Sequence, residues 1–427
     1  MSALIIFGLL LVLMAIGMPV GVALGLTVLT FMFSFTDTPI ASVALKMFSG
    51  IEKFEIMAIP FFILAGNFLT HGGVARRMIA FATAMVGHLT GGLGMSAVLA
   101  CALFAAVSGS SPATVVAIGS ILIPAMIKQG FPLRFAAGTV ASAGGLGILI
   151  PPSIVMVMYA VTTNSSVGAL FMAGVIPGIL LALVLGATTW WQARKGNYPR
   201  LPAASWRERW QAFRKAVWGL MLIVVVMGGI YSGLFTPTEA AAMSAVYAFF
   251  IAVFVYRDLT FKQVPKVLLD SANMASMLLF IIASAVLFSF ILTSEQIPQD
   301  IAAWIVDMGL GSVGFLIVVN VLLLLAGNIM EPSSIILILA PILFPVAVAL
   351  GIDPVHFGII ITVNMEIGMI TPPVGLNLFV AGGVTRAGLT EMSIAVLPWL
   401  YAMLGYLIFI TYVPEVSIWL PRTLGMM

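Results

Sequence analysis

Apolar residues run along the chain in long, nearly continuous blocks that short polar turns separate. The blocks extend from Ala3 to Val413, and many approach the ~20 residues that a helix needs to cross the hydrocarbon core of a membrane. A membrane β-barrel would show alternating segments of about 10 residues instead. The pattern predicts an all-α polytopic membrane protein, in which residues 3–36 form either two short spans or one bent hairpin.

Two pairs of apolar blocks are shorter than the others. Blocks 91–107 and 112–127 are joined by SGSSP at 108–112, and blocks 311–326 and 332–348 are joined by GNIMEP at 327–332. Because an arm of about 16 residues falls short of a full span, we predict two re-entrant hairpins, 91–127 and 311–348, in addition to about ten transmembrane helices. The alternative is that each pair forms two ordinary short spans with a tight turn.

The two halves of the chain share a pattern of glycine and proline. GILIPPS at 147–153 and GMITPPV at 368–374 are 221 residues apart (368 − 147), and further residues match at the same offset. The matched pairs are Pro124 with Pro345, Gly130 with Gly351, Gly147 with Gly368, Pro151 with Pro372, Pro152 with Pro373, Ala160 with Ala381, and Pro177 with Pro398. An odd number of crossings in each half makes the repeats inverted, which is typical of secondary transporters.

This repeat divides the chain into three parts. Residues 1–191 are predicted to form the first repeat, with hairpin 91–127 and a broken helix at 135–163. Residues 217–427 are predicted to form the second, with hairpin 311–348 and a broken helix at 357–383. Residues 192–216 are predicted to form a basic cytoplasmic loop or amphipathic connector between them.

Each proline pair is expected to unwind a helix inside the membrane. Proline removes a backbone donor and crowds the preceding turn, and the exposed backbone is tolerated only within protein or beside a wet cavity. Carbonyl oxygens at such breaks suit Na⁺. The first predicted cation site comprises Ser108, Gly109, Ser110, Ser111, Gly147, Ile150 and Pro151, and the second comprises Gly327, Asn328, Gly368, Thr371 and Pro372. The alternative is that the proline pairs only kink packed helices.

A central cavity between the breaks is expected to hold an anion. The predicted hairpins and broken helices contain no Arg or Lys, so a carboxylate would be held by helix N-termini and by hydroxyl or amide donors. The candidate substrate-binding residues are Ser111, Ser333, Ser334, Asn328, Thr371 and Asn377.

Five further polar positions each have an ordinary structural interpretation. Glu331 precedes Pro332 and is interpreted as either a helix N-cap or a coupling residue. Glu366 lies in an apolar block, where a carboxylate is costly; it is either a proton-coupling residue or a packed, hydrogen-bonded structural acid. Glu239 is interpreted as a cap, and Asn67 and Asn364 as interhelical hydrogen-bonding residues.

Composition and charge narrow the classes of function. The chain of 427 residues is 62% hydrophobic and only 8% charged, and seven of its 18 basic residues lie in residues 192–216, which the positive-inside rule places in the cytoplasm. One cysteine and three scattered histidines exclude an internal disulfide and give no support to a Cys- or His-based metal cluster. No cofactor is predicted, the net charge of +3 gives no support for nucleic-acid binding, and no catalytic motif favours an enzyme.

Several longer motifs together resemble one known family. They are AIPFFILAGNFLTHGG (58–73), FAAVSGSSPATVVAIGSILIPAM (104–126), GGLGILIPPS (144–153), GLFTPTEAAA (233–242) and GMITPPVGLNLFV (368–380). With them the chain resembles, over essentially its whole length, the large membrane subunit of tripartite ATP-independent periplasmic (TRAP) transporters of the ion-transporter superfamily, with a leaning to the C4-dicarboxylate branch.

The resemblance implies a mechanism and partners. Members of this family import organic acids across the bacterial inner membrane with a Na⁺ gradient, by an elevator movement, and bind Na⁺ at the hairpin tips and facing breaks. They work with a small four-helix membrane subunit, expected here as a separate chain, and a periplasmic substrate-binding protein. The alternative function is a stand-alone proton- or sodium-coupled carboxylate transporter of the same superfamily.

Overall fold

The computed structural model describes residues 2–36, 39, 41–307, 309 and 311–427, apart from the side chains of residues 302 and 304–307. The described residues form α-helices and no strand, with one 3₁₀ turn at Phe54–Met57 and one π-helical turn at Ile251–Val255. The predicted all-α class is therefore confirmed. The helices are α1 (Ser2–Ala15), α2 (Val20–Phe35), α3 (Ala41–Ile51), α4 (Ala58–His71), α5 (Val74–Val86), α6 (Gly92–Ser108), α7 (Ser111–Lys128), α8 (Leu133–Gly144), α9 (Leu146–Leu149), α10 (Ile154–Thr163), α11 (Val167–Lys195), α12 (Trp206–Tyr231), α13 (Pro237–Phe250), α14 (Val264–Ser294), α15 (Ile297–Asp307), α16 (Ser312–Gly327), α17 (Pro332–Ala349), α18 (Pro354–Gly368), α19 (Leu376–Thr385), α20 (Leu389–Tyr412) and α21 (Glu415–Thr423).

Many of these helices have membrane-spanning length. Among the described residues eight are long and apolar enough to cross a bilayer, or up to nine if the bent pair Leu133–Leu149 and Ile154–Thr163 is one span. This number includes α7 and α17, which the sequence assigned to hairpins, so six or seven of the described membrane-length helices lie outside the hairpins, fewer than the ten predicted. Residues 3–36 form two separate helices, α1 and α2, that pack against each other.

Both predicted hairpins are present as adjacent helix pairs. Helices α6 and α7 are joined by Gly109 and Ser110, and α16 and α17 by residues 328–331, so the predicted limits 91–127 and 311–348 agree with the structure to within one residue. Helices α7 and α17 have 18 residues each, which is more than the sequence suggested. That these pairs re-enter the membrane, the first from the cytoplasm and the second from outside, and are not ordinary short spans stays a prediction.

Both predicted breaks are also present. In the first, α9 ends at Leu149 and α10 begins at Ile154, with extended backbone at Ile150. In the second, α18 ends at Gly368 and α19 begins at Leu376. Each break contains its Pro-Pro pair with a cis peptide bond, so the two halves of the chain repeat the same local geometry.

The two halves exchange contacts across the breaks. Helix α10, which follows the first break, packs against α17 of the second hairpin. Helix α19, which follows the second break, packs against α7 of the first hairpin. Within each half the first hairpin helix packs against the helix before the break, α6 on α8 and α16 on α18. This reciprocal arrangement supports the predicted repeat and brings the breaks and hairpins into one core.

The connector differs from its prediction. Helix α11 continues to Lys195, and α12 runs without interruption from Trp206 to Tyr231, so the predicted limit at residues 216 and 217 lies inside a helix. The physical reason is a capping box. The Ser205 hydroxyl accepts from the backbone N–H of Glu208, and the Glu208 carboxylate accepts from the N–H of Ser205 at 2.6 Å, which starts the helix within the basic segment. The division into three parts stays a prediction.

Three polar positions have the structural roles expected of them. Glu239 forms a capping box with Thr236, whose backbone N–H donates to the Glu239 carboxylate at 2.8 Å. The Asn67 amide donates to Ser271 on α14 at 2.8 Å. The Asn364 amide donates to Asn320 on α16 at 2.7 Å. Hydrogen bonds of this kind between membrane helices contribute about 0.6 kcal/mol each on average.

Candidate functional site

The first hairpin tip lies directly against the first break, and we call this contact the first junction (residues 108–111 and 147–154). A Cβ atom on Gly147 would lie 2.6 Å from the Ser110 carbonyl oxygen and 2.8 Å from the Ser111 nitrogen. The Ile154 N–H donates to the Gly109 carbonyl at 3.5 Å. Gly109 adopts a left-handed conformation, φ 61°, which glycine reaches without strain. A side chain at position 147 would collide with the hairpin tip, so this close approach of the two backbones requires glycine.

The hydroxyl groups of the first tip are buried and bonded to one another. Ser108 Oγ lies 2.9 Å from Thr114 Oγ1, which donates to the Ser110 carbonyl at 2.8 Å. Across the junction Ser153 donates to the Ile148 carbonyl and caps α10. Each carbonyl oxygen accepts through two lone pairs, so these contacts leave oxygen capacity for a cation.

The second hairpin tip meets the second break in the same way, and we call this contact the second junction (residues 327–334 and 368–377). A Cβ atom on Gly368 would lie 2.8 Å from the Gly327 Cα. The Val374 N–H donates to the Asn328 carbonyl at 2.9 Å. Thr371, three residues beyond the end of α18, donates its hydroxyl to the Ile367 carbonyl of that helix at 2.6 Å. The predicted residues Gly327, Asn328 and Gly368 are therefore neighbours.

Asn328 carries an acceptor that nothing in the described protein satisfies. Its side-chain Oδ1 is buried and has no hydrogen-bond partner among the described residues. An unpaired buried polar atom costs about 1–3 kcal/mol, so its retention beside a helix break calls for a ligand. A neutral amide oxygen is a ligand that suits a hard cation.

The two junctions are not equivalent. Pro151 is buried in the first, whereas Pro372 and Pro373 are exposed in the second and Thr371 is half-buried. The first tip places Ser111 at the start of α7, and the second places Glu331 before α17. The second junction therefore lies nearer to the protein surface.

Two predicted substrate residues from opposite halves of the chain contact each other. The Asn377 amide donates to Ser111 Oγ at 2.8 Å and to the Ala141 carbonyl at 3.0 Å. Both Ser111 and Asn377 are fully buried. The contact links the first hairpin tip to the helix that follows the second break, so a movement of either affects the other.

The remaining predicted substrate residues gather at the second tip. Ser334 donates to the Glu331 carboxylate at 3.3 Å, and Ser333 is its half-buried neighbour. Glu331 occupies the predicted N-cap position of α17, but its side chain makes no capping hydrogen bond to the backbone of that helix. Among the described residues no hydrogen bond connects this group with Ser111 or Asn377.

Glu366 is fully buried, and its interpretation as a hydrogen-bonded structural acid is wrong. Neither carboxylate oxygen has a hydrogen-bond partner among the described residues. Its side chain packs against Gly145, where a Cβ atom would lie 2.6 Å from Glu366 Cγ. Glu366, a residue of the second repeat, therefore packs against Gly145, which connects α8 to α9 ahead of the first break.

Sequence reasoning missed several residues around the breaks. Ser142 is buried one turn before Gly145, and its hydroxyl has no partner among the described residues. Thr114 and Ser153 bond to the first tip and first break. The Gly-Gly pair at 144–145 was the available signal, because adjacent glycines in an apolar helix indicate close backbone packing.

The groove that borders the first break is apolar. It has a volume of about 500 Å³ and is lined by Ile150, Pro151, Met172 and Met227, among others. Among the described lining residues Tyr231 has the one polar side chain, so the groove offers few hydrogen-bond donors to a carboxylate. Within the part of the chain that the structure describes, no cluster of three His, Cys, Asp or Glu residues forms a site for a transition metal.

Comparison with known proteins gives one consistent family. The sequence profile described as "Tripartite ATP-independent periplasmic transporter, DctM component" matches residues 7–416. The "C4-dicarboxylate TRAP transporter large permease protein DctM" of Rhodobacter capsulatus is 68% identical and is covered over 100% of both chains. The protein of the same name from Pseudomonas aeruginosa is 57% identical over 95% of both chains.

A solved structure has the same fold. The Alcanivorax borkumensis YdaH transporter superposes with a TM-score of 0.61 at 17% identity, covering 90% of this chain and 88% of its own. At this identity the likeness concerns the fold alone. The relatives above are permease components, and none is an enzyme. The chain therefore belongs to the DctM family of large membrane subunits of tripartite ATP-independent periplasmic transporters, and it is a multi-pass membrane transport protein.

Proposed function

We propose that this chain is the large permease subunit of a Na⁺-coupled importer of C4-dicarboxylates such as succinate, fumarate and malate. The observation that carries the proposal is the contact of each hairpin tip with a helix break, Gly147 on Ser110 and Gly368 on Gly327. These contacts gather backbone oxygens inside the membrane, where a hard cation can replace its hydration shell with them.

Two Na⁺ sites follow from the junctions. The ion is a transported species here, and its proposed ligands are backbone and side-chain oxygens. At the second junction the unpaired Oδ1 of Asn328 is the first proposed ligand. The full proposed sets are Ser108, Gly109, Ser111, Gly147, Ile150 and Pro151 in the first junction, and Gly327, Asn328, Gly368, Thr371 and Pro372 in the second.

The substrate is proposed to bind between the two tips. The hairpins and broken helices contain no Arg or Lys, so helix N-termini and neutral donors would hold the carboxylates. The C4-dicarboxylate class is proposed from the names of the relatives in Rhodobacter capsulatus and Pseudomonas aeruginosa. Ser111 and Asn377 would contribute as one unit because they are already hydrogen-bonded.

Two partners and a location complete the proposal. A small four-helix membrane subunit and a periplasmic binding protein would act with this chain in the bacterial inner membrane. The "Isethionate TRAP transporter permease protein DctMQ" of Oleidesulfovibrio alaskensis is 42% identical, and the match covers 96% of this chain but only 65% of that protein, which supports a second membrane component. An elevator movement of the hairpins and broken helices would carry the substrate across.

Uptake into proteoliposomes tests the function. The chain, its small subunit and its binding protein would be reconstituted, and radiolabelled succinate uptake would be measured with an inward Na⁺ gradient, with K⁺ in place of Na⁺, and with a proton gradient alone. We expect uptake only with Na⁺ and all three proteins. Uptake that follows a proton gradient and needs no partner would overturn the proposal.

One observation favours a second candidate, a stand-alone proton-coupled carboxylate transporter. Glu366 is a buried carboxyl group without a hydrogen-bond partner among the described residues, and intramembrane acids are frequent in proton relays. The same uptake experiment separates the two candidates, because the second requires uptake with a proton gradient and without Na⁺.

A further inference from the structure

The connector and the helix ends beside it carry a concentration of exposed positive charge. Six of its basic side chains are exposed and the seventh, Arg209, is half-buried. The seven are Arg194, Lys195, Arg200, Arg207, Arg209, Arg214 and Lys215. Glu208 is the only acid in the segment, and its carboxylate is occupied by the capping box with Ser205.

These charges have no protein counter-ions in the part of the chain that the structure describes. The ion pairs there are Arg77 with Asp258, Arg134 with Glu391, and Arg422 with Glu415, and none involves the connector. The buried Nε of Arg209 also has no hydrogen-bond partner among the described residues. The connector is therefore a cationic surface that the chain itself does not neutralise.

Tryptophan side chains are interleaved with these charges. At the end of α11 the Arg194 guanidinium lies 5.3 Å from the Trp190 ring centroid, and the Lys195 ammonium lies 5.7 Å from that of Trp191. Along α12, Trp206, Trp210, Arg214 and Trp218 follow at intervals of four residues, and the three indoles are 80%, 54% and 47% exposed. Tryptophan prefers the interface between the headgroups and the acyl chains of a bilayer.

We propose that the ends of α11 and α12 form a binding surface for anionic phospholipids, in which the basic side chains contact headgroup phosphates and the tryptophans insert beside the glycerol backbone. Both helices have membrane-spanning length, so their adjoining ends lie where headgroups are. Juxtamembrane Lys and Arg residues attract anionic lipid, and the exposed indoles fix the depth of the segment. This surface is separate from both junctions, and its role does not depend on the transported substrate.

The arrangement favours lipid over an acidic protein segment as the occupant. A protein partner at an interface core is typically met by few charges and closely packed aromatic residues. Here the charges are numerous, long and spread over two helix ends, and the tryptophans are largely exposed at membrane depth. Lipid headgroups are mobile, so their phosphates can contact positive charges that are spread over two helix ends.

The test compares two variants of the full chain that each lose three exposed positive charges. The first is R207Q/R214Q/K215Q in the connector, and the matched control is R257Q/K262Q/K266Q, which extends from the loop after α13 into the first turn of α14, where no tryptophan lies. All six residues are exposed and make no ion pair among the described residues, so both variants are expected to fold. Phosphatidylglycerol and phosphatidylcholine with the same acyl chains would be offered as an equimolar mixture, and bound lipid counted by native mass spectrometry.

We expect the wild-type chain and the control to prefer phosphatidylglycerol, and the connector variant to lose at least about tenfold of that preference. Each charge near an anionic surface contributes about fivefold in binding, so three charges exceed this value. Thermal melting of each variant in detergent checks its folding. Equal preference in the connector variant and the wild type would overturn the proposal, as would an equal loss in the control. Loss of co-purified small subunit with an unchanged lipid preference would assign the surface to a protein partner instead.

Discussion

The Asn377 amide donates to Ser111 Oγ at 2.8 Å, although the two residues are 266 positions apart. Ser111 begins the second helix of the first hairpin, and Asn377 lies in the first turn of the helix after the second break. The halves of the chain are thus connected at the place where both are irregular. A ligand that changes the conformation of one break is therefore expected to change the conformation of the other.

Substitutions of Ser111 and Asn377 should have non-additive effects on transport, because the two side chains bond to each other. We expect S111A and N377A each to raise the Na⁺ concentration for half-maximal uptake, and the double variant to be no worse than N377A alone, because N377A already removes the contact with Ser111 together with the bond to the Ala141 carbonyl. A coupling free energy of about 1 kcal/mol between them is expected in unfolding measurements. Strictly additive effects of the two substitutions would show that the bond has no such role.

The glycines at the junctions should not tolerate a methyl group. In G147A the new Cβ would meet the Ser110 carbonyl at 2.6 Å, and in G368A it would meet Gly327 Cα at 2.8 Å. We expect each to cost about 1–3 kcal/mol of stability and to abolish Na⁺-dependent uptake. The control is G405A in α20, where a Cβ would meet nothing within 4 Å. Melting temperature with and without Na⁺ is the measurement, and a full Na⁺-induced shift in G147A would contradict the account.

Asn328 should be distinguishable from an asparagine that only joins helices. We expect N328A to raise the Na⁺ requirement for uptake at least tenfold with little loss of melting temperature, because its Oδ1 has no protein partner to lose. The matched control N67A removes a hydrogen bond to Ser271, and it should lower the melting temperature without changing the Na⁺ requirement. Similar behaviour of the two variants would remove Asn328 from the proposed site.

Glu366 separates the two candidate mechanisms. If transport is driven by Na⁺, E366Q should fold and should retain most of its uptake, since neither carboxylate oxygen has a described hydrogen-bond partner and the amide has nearly the same volume. E366L tests the packing against Gly145 without a polar group. Folded E366Q protein without uptake, together with uptake by the wild type in a proton gradient, would favour the stand-alone alternative.

The elements that glycine and proline specify could be predicted from the sequence. The breaks near Pro151 and Pro372 and both hairpin tips lie where predicted, because these residues act on their own backbone. The predicted limit at 216 and 217 falls inside α12, because a capping box at Ser205 starts a helix whose first turns are polar and whose remainder is apolar. Local sequence patterns therefore predict where a helix breaks or turns better than they predict how long the next helix is.

Tertiary relationships were beyond the reach of the sequence. No local pattern indicates that α10 packs on the second hairpin and α19 on the first, or that Glu366 lies against Gly145. The hydrogen-bonded environment expected for Glu366 assumed nearby polar side chains, whereas its neighbours are set by the packing of α18 on α9. The pairing of each hairpin tip with its own break was predicted from the repeat, whereas the contact of Ser111 with Asn377 across the two halves required the structure.

The central claim is that main-chain and neutral side-chain oxygens at the two junctions hold Na⁺. Equilibrium binding of ²²Na⁺ to the purified chain, wild type against G147A, N328A and G405A, tests it most directly. We predict saturable binding that unlabelled Na⁺ but not K⁺ displaces, that is reduced in G147A and N328A, and that G405A retains in full. Unchanged ²²Na⁺ binding in folded G147A and N328A would contradict the claim.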